Sequence, residues 1–339
     1  MSSNPWRGKR VLVTGADGFV GSHLVEALLN RDARVTVFTR ATSSHGTSRS
    51  GLKHLAHVET LLEAIIAADL ASSETTDLIR SAAPQIVMHL GAEAYVPRSF
   101  SQPGQVFQVN ANGTLFVLEA LRRLPELECA VIASSSEVYG TNTSDQPMRE
   151  DHPLNPTSPY AASKAAADRL AHAYRVTYGL PIVLVRPFNT YGPRHIYDVI
   201  PKFIDMALRG DDLTIHGDGT QARDFTYVDD TVLAYLRAAI HPAARGEVIN
   251  IGSGQAYSIL DTAKRIVGLT GTGSKLVHIE RRQAEVPLLL CDNRRAFEVL
   301  DWRPSIDFDT GLTRNIEWAS AQRCRVVNEW PSRRRESIL

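Results

Sequence analysis

In the first half of the chain, short runs of β-branched and apolar residues alternate with longer stretches whose apolar positions recur about every 3.6 residues. Residues 11–14 (VLVT) read as a buried strand, and 22–30 as a helix with Leu24, Ala27, Leu28 and Leu29 on one face. Further strands are predicted at 35–38, 85–90, 130–134 and 182–186, and further helices at 106–122 and 159–178. Gly179 and Pro181 stop the last of these helices. The Ser/Thr/Gly-rich stretch 41–51 reads as a loop. Strands alternating with helices predict βαβ units and a parallel sheet covered on both faces.

After Arg186 the pattern turns irregular, with prolines at 187, 193 and 201 and glycines at 192, 210, 217 and 219. Helices at 201–209 and 227–240 and strands at 213–216 and 247–251 are predicted within it. The expected organisation is a first domain over 1–189, with 225–252 returning to it. Residues 190–224 and 253–325 would form a smaller lobe, and 326–339 a flexible tail.

Composition narrows the classes. Hydrophobic residues make up 43% of the 339 residues and charged residues 22%, as in an ordinary globular protein. Lys plus Arg and Asp plus Glu both number 37, so there is no cationic excess to replace phosphate counterions, and a nucleic-acid partner is not expected. Cys129, Cys291 and Cys324 lie far apart without a CxxC, which supports neither a metal site nor a disulfide framework and fits a reducing cytoplasm. The polar, basic opening Met1 to Arg10 and the glycine-broken run after it read neither as a signal peptide nor as a membrane span, so no membrane partner is expected.

Candidate chemistry begins at Gly15-Ala16-Asp17-Gly18-Phe19-Val20-Gly21, which follows a strand and opens a helix. Glycines at this spacing let the turn close and bring backbone close to a pyrophosphate, which the helix N-terminus stabilises. The site predicted is a dinucleotide site on a Rossmann-type doubly wound sheet. The acidic residue that usually ends the second strand and holds the adenosine ribose is replaced by Thr39-Arg40. Arg40 either binds a 2′-phosphate, favouring NADP, or is solvated with NAD held elsewhere. Asp69 and Leu70 stand either at the adenine edge or as a cap of the next helix.

Tyr160 and Lys164 form a YxxxK at the start of a helix, and positions i and i+4 share a face. A cation beside a phenol would lower its pKa from about 10, making a base able to take a proton from a substrate hydroxyl. Ser134-Ser135-Ser136-Glu137 ends an apolar strand, where a doubly wound sheet places its ligand crevice. A serine there can hydrogen-bond a reacting oxygen. Glu137 reads either as a general acid or base or as a solvated turn residue.

Taken together, GADGFVG (15–21), HLGA (89–92), SSSEVYG (134–140), SPYAASK (158–164), RPFNTYGPR (186–194) and GDGTQARDFTYVDD (217–230) resemble the extended short-chain dehydrogenases/reductases that modify nucleotide sugars. The resemblance implies a Rossmann-type doubly wound parallel sheet with a smaller C-terminal α/β substrate lobe, a retained NAD or NADP, and a nucleotide-diphosphate sugar as substrate. Gly15, Gly18, Phe19, Val20, Gly21, Thr39, Arg40, Asp69, Leu70, Leu90, Gly91, Ala92 and Pro187 would then line the cofactor, with Tyr160 and Lys164 against it. Ser135, Tyr160 and Lys164 would act at the sugar C4 hydroxyl, with Ser136 and Glu137 beside them. Glu93, Arg98, Asn189, Arg194 and Arg223 would meet the substrate, Arg223 reading alternatively as a salt bridge to Asp224 or Asp229. Asn110 would have a structural role near the site. A homodimer through helices near 106–122 and 160–177 is also implied, although Leu115, Leu118, Ala165 and Leu170 fit ordinary core equally.

Within that branch a 4-epimerase needs no added carboxylate, whereas a 4,6-dehydratase needs a base for C5–H and an acid for the C6 hydroxyl. Glu137 therefore points to a dehydratase or to a uronate decarboxylase. Ser136-Glu137 departs from the Asp–Glu pair of the dTDP-glucose 4,6-dehydratases and resembles the pair in GDP-mannose 4,6-dehydratases, some UDP-N-acetylglucosamine dehydratases and the UDP-glucuronate decarboxylases. The reading favoured by the sequence is a nucleotide-sugar 4,6-dehydratase, with a 4-epimerase or UDP-glucuronate decarboxylase on the same scaffold as the alternative and a non-catalytic dinucleotide-sensing module as the remote one.

Overall fold

The alternation of apolar runs closes into one parallel sheet. The computed structural model describes residues 4–40, 51–142, 146–281 and 286–333. Its strands are β1 (Arg10–Thr14), β2 (Arg34–Thr39), β3 (Ala64–Ala67), β4 (Ile86–His89), β5 (Cys129–Ala133), β6 (Ile182–Pro187), β7 (Asn189–Tyr191), β8 (Leu213–His216), β9 (Ala222–Tyr227), β10 (Val248–Ile251), β11 (Ala256–Ser258), β12 (Leu276–Ile279) and β13 (Leu288–Leu289). Its helices are α1 (Phe19–Leu29), α2 (Thr75–Ala82), α3 (Val96–Ser101), α4 (Pro103–Phe107), α5 (Gly113–Leu121), α6 (Pro159–Tyr178), α7 (Val199–Arg209), α8 (Val228–Ile240), α9 (Ile259–Thr270), α10 (Arg294–Leu300) and α11 (Phe308–Arg333). The loop expected over 41–51 lies outside the described residues except for Gly51.

The main sheet has the order β10-β6-β5-β4-β1-β2-β3. Strand order reverses between β1 and β4, and the crevice at their carboxyl ends is where such sheets bind ligands. Successive residues of β1 face opposite layers: Val11 and Val13 pack in the core with Leu24, Val25 and Leu28 of α1, Leu12 with Val117 and Leu118 of α5. This two-sided burial makes the middle of β1, Val11 to Val13, a continuous apolar run rather than an alternating one. β10 joins the sheet edge beside β6, so the chain returns to the first domain after α8. The smaller lobe holds a four-stranded group, in which β9 pairs with β7, β11 and β13, and the β8–β12 pair with α7 and α9.

Three features differ from the pattern-based expectation. β3 and α2 escape the hydrophobic pattern: β3 is only four residues (AIIA), with its end residues exposed, and α2 is a two-turn helix. The helix expected over 106–122 is α4 followed by a π-turn at Gln108–Asn112 and then α5. The π-turn carries Asn110, whose side chain is spent on other segments rather than on its own helix. Finally, α11 runs to Arg333, into the segment expected to be a tail, and residues 334–339 lie outside the described ones.

Candidate active site

Glycine spacing at the first βα turn has a steric cause. Gly15 adopts φ +66°, and a Cβ there would lie 2.8 Å from Gly91; one on Gly21 would lie 2.1 Å from the Gly15 carbonyl oxygen. Gly18 is the N-cap of α1, with no side-chain cap and no acid in the first turn, so the positive end of the helix dipole faces the loop. Asp17 of this loop accepts hydrogen bonds from the N–H groups of Lys53, His54 and Leu55 at 2.6, 2.8 and 3.1 Å, pinning that segment to the turn. Under the loop, His89 links Thr14 and Thr114 at 2.8 and 3.0 Å; burial pushes its pKa down to about 3 and keeps the ring neutral.

The other expected cofactor residues gather at the same strand ends. Thr39 closes β2, Leu90 to Ala92 follow β4, and Pro187 closes β6. Leu70 packs against Gly91, where any Cβ would meet its Cδ1 at 2.3 Å. Asp69 does not cap α2, whose N-cap is Glu74; its carboxylate accepts the Ala71 N–H at 2.9 Å in a local turn. Arg40 lies half-exposed, 3.5 Å from Glu93. The glycine cradle, the N-terminus of α1 with no side-chain cap or acidic residue, and the small residues at the strand ends fit a dinucleotide.

Ser158 caps α6 by accepting the Ala161 N–H at 3.1 Å, and Pro159 at the first helical position sets Tyr160 at the top of the helix. The Ser135 hydroxyl stands beside the Tyr160 phenol. Ser135 also accepts the Glu137 N–H at 3.2 Å, capping the 3₁₀ turn Ser136–Tyr139 that displays Glu137. Burial pushes the Tyr160 phenol above its ordinary value; Ser135 opposes this, while the charges of Glu137 and Asp198 add to it. Burial likewise raises the Glu137 carboxyl, with Arg223 opposing and Asp198 adding. The Lys164 ammonium donates to the Ala133 carbonyl at 2.5 Å; burial brings its pKa down to about 8, against the pull of Asp168. The ammonium is anchored on the end of β5, and burial beside two carboxylates dominates the phenol.

A buried network supports this centre. Asp168, one turn beyond Lys164, pairs with Arg186 at 2.9 and 3.1 Å and accepts from Ser134 at 2.7 Å and from Arg169. Arg186 continues to the Tyr139 hydroxyl at 2.9 Å, and Tyr139 donates to Asn250 at 2.7 Å. Nearby, Asn110 accepts the Glu93 N–H at 2.8 Å and donates to the Ser163 hydroxyl at 2.9 Å, tying the π-turn to α6. That is a structural role, and it accounts for the turn's departure from α geometry.

Above the centre lies a cavity of about 800 Å³ whose wall includes Glu137, Ser158, Asn189, Asp198, Lys202 and Arg223. Of the residues expected at the substrate, Asn189 and Arg223 line it. The Asn189 Oδ1 is buried with no hydrogen-bond partner among the described residues. Arg223 is oriented by the Ala222 and Val286 carbonyls rather than by Asp224, whose carboxylate is filled by Ser253, Gly254 and Cys291 N–H groups. Arg194 does not line the cavity. Its left-handed backbone (φ +71°) turns the guanidinium to Glu26 on α1, 2.7 Å away. Arg98 pairs with Glu93 at 2.7 Å, and neither lines the cavity. Ser136 is buried outside the wall.

Sequence reasoning passed over His195, Asp198 and Lys202, which the turn after Gly192-Pro193 and the start of α7 bring in. Proline and glycine mark that turn but not the direction of its side chains. It also passed over Asp168, for which the four-residue spacing from Lys164 was an available signal.

A doubly wound sheet, a glycine cradle and a Ser–Tyr–Lys group beside a cavity in the second lobe define a dinucleotide-dependent enzyme of the short-chain dehydrogenase/reductase type. The family model described as GDP-mannose 4,6 dehydratase matches residues 12–315. The chain belongs to this family, within the extended short-chain dehydrogenases/reductases that act on nucleotide sugars. It is 34% identical over 313 residues to a UDP-glucose 4-epimerase of Mycolicibacterium smegmatis, covering 91% of this chain and 98% of that protein. It is also 34% identical over 327 residues to a UDP-N-acetyl-alpha-D-glucosaminuronate decarboxylase of Bacillus cytotoxicus, with 91% and 97% covered. Among solved structures, a dTDP-glucose 4,6-dehydratase from Bacillus anthracis in complex with NAD superposes with a TM-score of 0.82 at 27% identity, covering 93% of this chain and 97% of that one.

Proposed function

We propose that this protein is a nucleotide-sugar 4,6-dehydratase. The observation that carries the reading is Glu137: a half-buried carboxyl, raised by its surroundings, in the wall of the cavity beside Ser135 and Tyr160. A simple epimerase has no task for such a group.

Gly15, Gly18, Gly21 and the strand-end residues would hold NAD or NADP, which when bound supplies a hydride acceptor and donor for the sugar. Tyr160 takes the proton of the C4 hydroxyl while Ser135 holds the same oxygen. Lys164 fixes the end of β5 to α6 and holds positive charge near the phenol. Once C4 is a ketone the C5 proton is acidic, and Glu137 removes it. The C6 hydroxyl leaves as water with the proton that Glu137 took from C5; C6 would then take back the hydride and C5 the proton held on Tyr160, so that the net change is the loss of one water. Lys202 and Arg223 suit a diphosphate, and Asn189 offers an acceptor to a sugar hydroxyl.

The test is to incubate the protein with UDP-, GDP-, CDP- and dTDP-hexoses and weigh the product. A loss of about 18 Da is expected; a loss of about 44 Da would make the enzyme a decarboxylase, and an unchanged mass an epimerase. Glu137→Gln is expected to lower the rate of water loss by about 10²–10⁴-fold while leaving C4 oxidation, followed at the cofactor's near-ultraviolet band, in place. Unchanged water loss in that variant removes Glu137 from the mechanism.

A further inference from the structure

A second cavity, of about 590 Å³, opens beyond the Asp168–Arg186 pair, and none of its lining residues lines the substrate cavity. The sheet topology creates it. β10 is the last strand of the main sheet; Val248 packs with the layer that holds α2, α5 and α6, and Ile249 with the layer of α8 and α10. α6 is the last helix of its layer, and the recess lies beside it, over Val248. We propose that this recess is a binding site for a phosphate-type oxyanion, separate from the substrate cavity.

Three observations carry it. Arg169, His172 and Arg175 stand three residues apart along α6, a spacing that places them on one face, and all three line the recess. The buried Arg186 lines it from β6. Secondly, the positive charge on this wall is short of anions. Asp168 serves two guanidiniums at once, Arg186 at 2.9 and 3.1 Å and Arg169 beside it. Arg175 pairs with no carboxylate among the described residues; it donates to the Gly246 carbonyl and lies 3.4 Å from His172 Nδ1. On the other wall Arg295 and Glu247 pair with each other, and Asp151 turns to Arg149 at 3.5 Å. Glu150 accepts the Asn250 N–H at 2.9 Å, and burial raises its carboxyl. Three guanidiniums are therefore left with two carboxylates, Asp168 and Glu150. Thirdly, the Arg175 Nε is buried with no hydrogen-bond partner among the described residues. A charged donor kept from water without an acceptor is costly, and an acceptor entering the recess would relieve it.

A phosphate group matches this wall. Its ionised oxygens accept where guanidiniums only donate, and each planar fork can hold two of them. Its charge supplies the anion that α6 lacks. His172 fits the same picture: burial first, then Arg169 and Arg175, hold its pKa down, as a site of uncompensated positive charge would. The site stands independently of the dehydratase reading.

The experiment titrates the cofactor-loaded protein with orthophosphate and, separately, with glucose 1-phosphate, by calorimetry at fixed ionic strength. A dissociation constant of about 1 mM or tighter is expected for at least one of them. Tighter binding of orthophosphate makes the ligand the free anion, and tighter binding of the ester makes it a phosphomonoester. Arg175→Gln should weaken binding about tenfold or more, whereas Arg223→Gln, in the substrate cavity, should leave it within about twofold. A second readout needs no folded Arg175 variant. The His172 ring resonance, identified by its absence in His172→Gln, should shift on adding the anion, and its pKa should rise, because a neighbouring negative charge favours the imidazolium. No binding by the wild type overturns the site. So does affinity lost in Arg223→Gln but kept in Arg175→Gln, or a His172 resonance that stays still while the anion binds.

Discussion

Replacing Tyr160 with phenylalanine is expected to cut the rate of C4 oxidation by about 10²–10⁴-fold, with nucleotide-sugar affinity changed far less. The phenol is buried, stands beside the Ser135 hydroxyl and is placed at the top of α6 by the Ser158 cap and Pro159. Phenylalanine keeps the ring that packs there and removes only the oxygen that exchanges a proton with the substrate. Rapid-mixing measurement of cofactor reduction isolates this step. A fall of less than tenfold would mean that another group takes the C4 proton. The same measurement reads Lys164. Burial brings that ammonium down to about 8, so it loses its proton as pH rises through that value. If its charge supports the phenolate, the rate should decline on the alkaline side of about pH 8, and Lys164→Met should abolish that decline along with most of the rate. A profile rising smoothly through pH 9 in the wild type would show that the ammonium's charge is not used.

Local signals made the first domain legible. β1, α1 and the loop between them carry three independent marks: an apolar run too long for one exposed face, glycines where backbones touch, and a periodic helix. Tyr160 and Lys164 were legible because helical spacing alone brings them to one face. β3 was not: its four residues are too few to show a period and its ends are exposed. The π-turn at Gln108–Asn112 was hidden because its cause lies in Glu93 and Ser163, far away in sequence. The second lobe was legible only as irregularity. Asp198 reaches the cavity because the backbone takes a conformation that an aspartate rarely adopts, and propensity argues against anticipating it. The direction of Arg194 was hidden for a related reason, since its left-handed turn aims it at Glu26.

Asp168→Ala is expected to destabilise the protein by about 3–5 kcal/mol, because it leaves Arg186 charged, buried and unpaired. The Asp168 side chain is 0% exposed and that of Arg186 2%. Without the carboxylate, three of the bonds that join β5, β6 and α6 disappear: those from Ser134 and the two from Arg186. Paired replacement, Asp168→Leu with Arg186→Met, should recover much of the loss, since two apolar groups of similar volume need no partners. Chemical denaturation of the three proteins decides the point, and a single variant as stable as the double one would show that the pair contributes little. The pH dependence carries a definite sign. Burial alone would raise the Asp168 carboxyl, but Arg186, then Arg169 and Ser134, outweigh it and hold the group below its ordinary value. A carboxyl depressed in the folded state contributes stability that is present above its unfolded pKa of about 3.9 and is lost as pH falls through the folded value. Wild type should therefore lose stability on acidification more steeply than the double variant. Catalysis should respond as well, because Ser134 adjoins Ser135 and the Ala133 carbonyl holds Lys164. In the double variant, recovered stability with an unrecovered rate of C4 oxidation would mark Asp168 as a residue that positions the serine and lysine rather than one that merely fills the core.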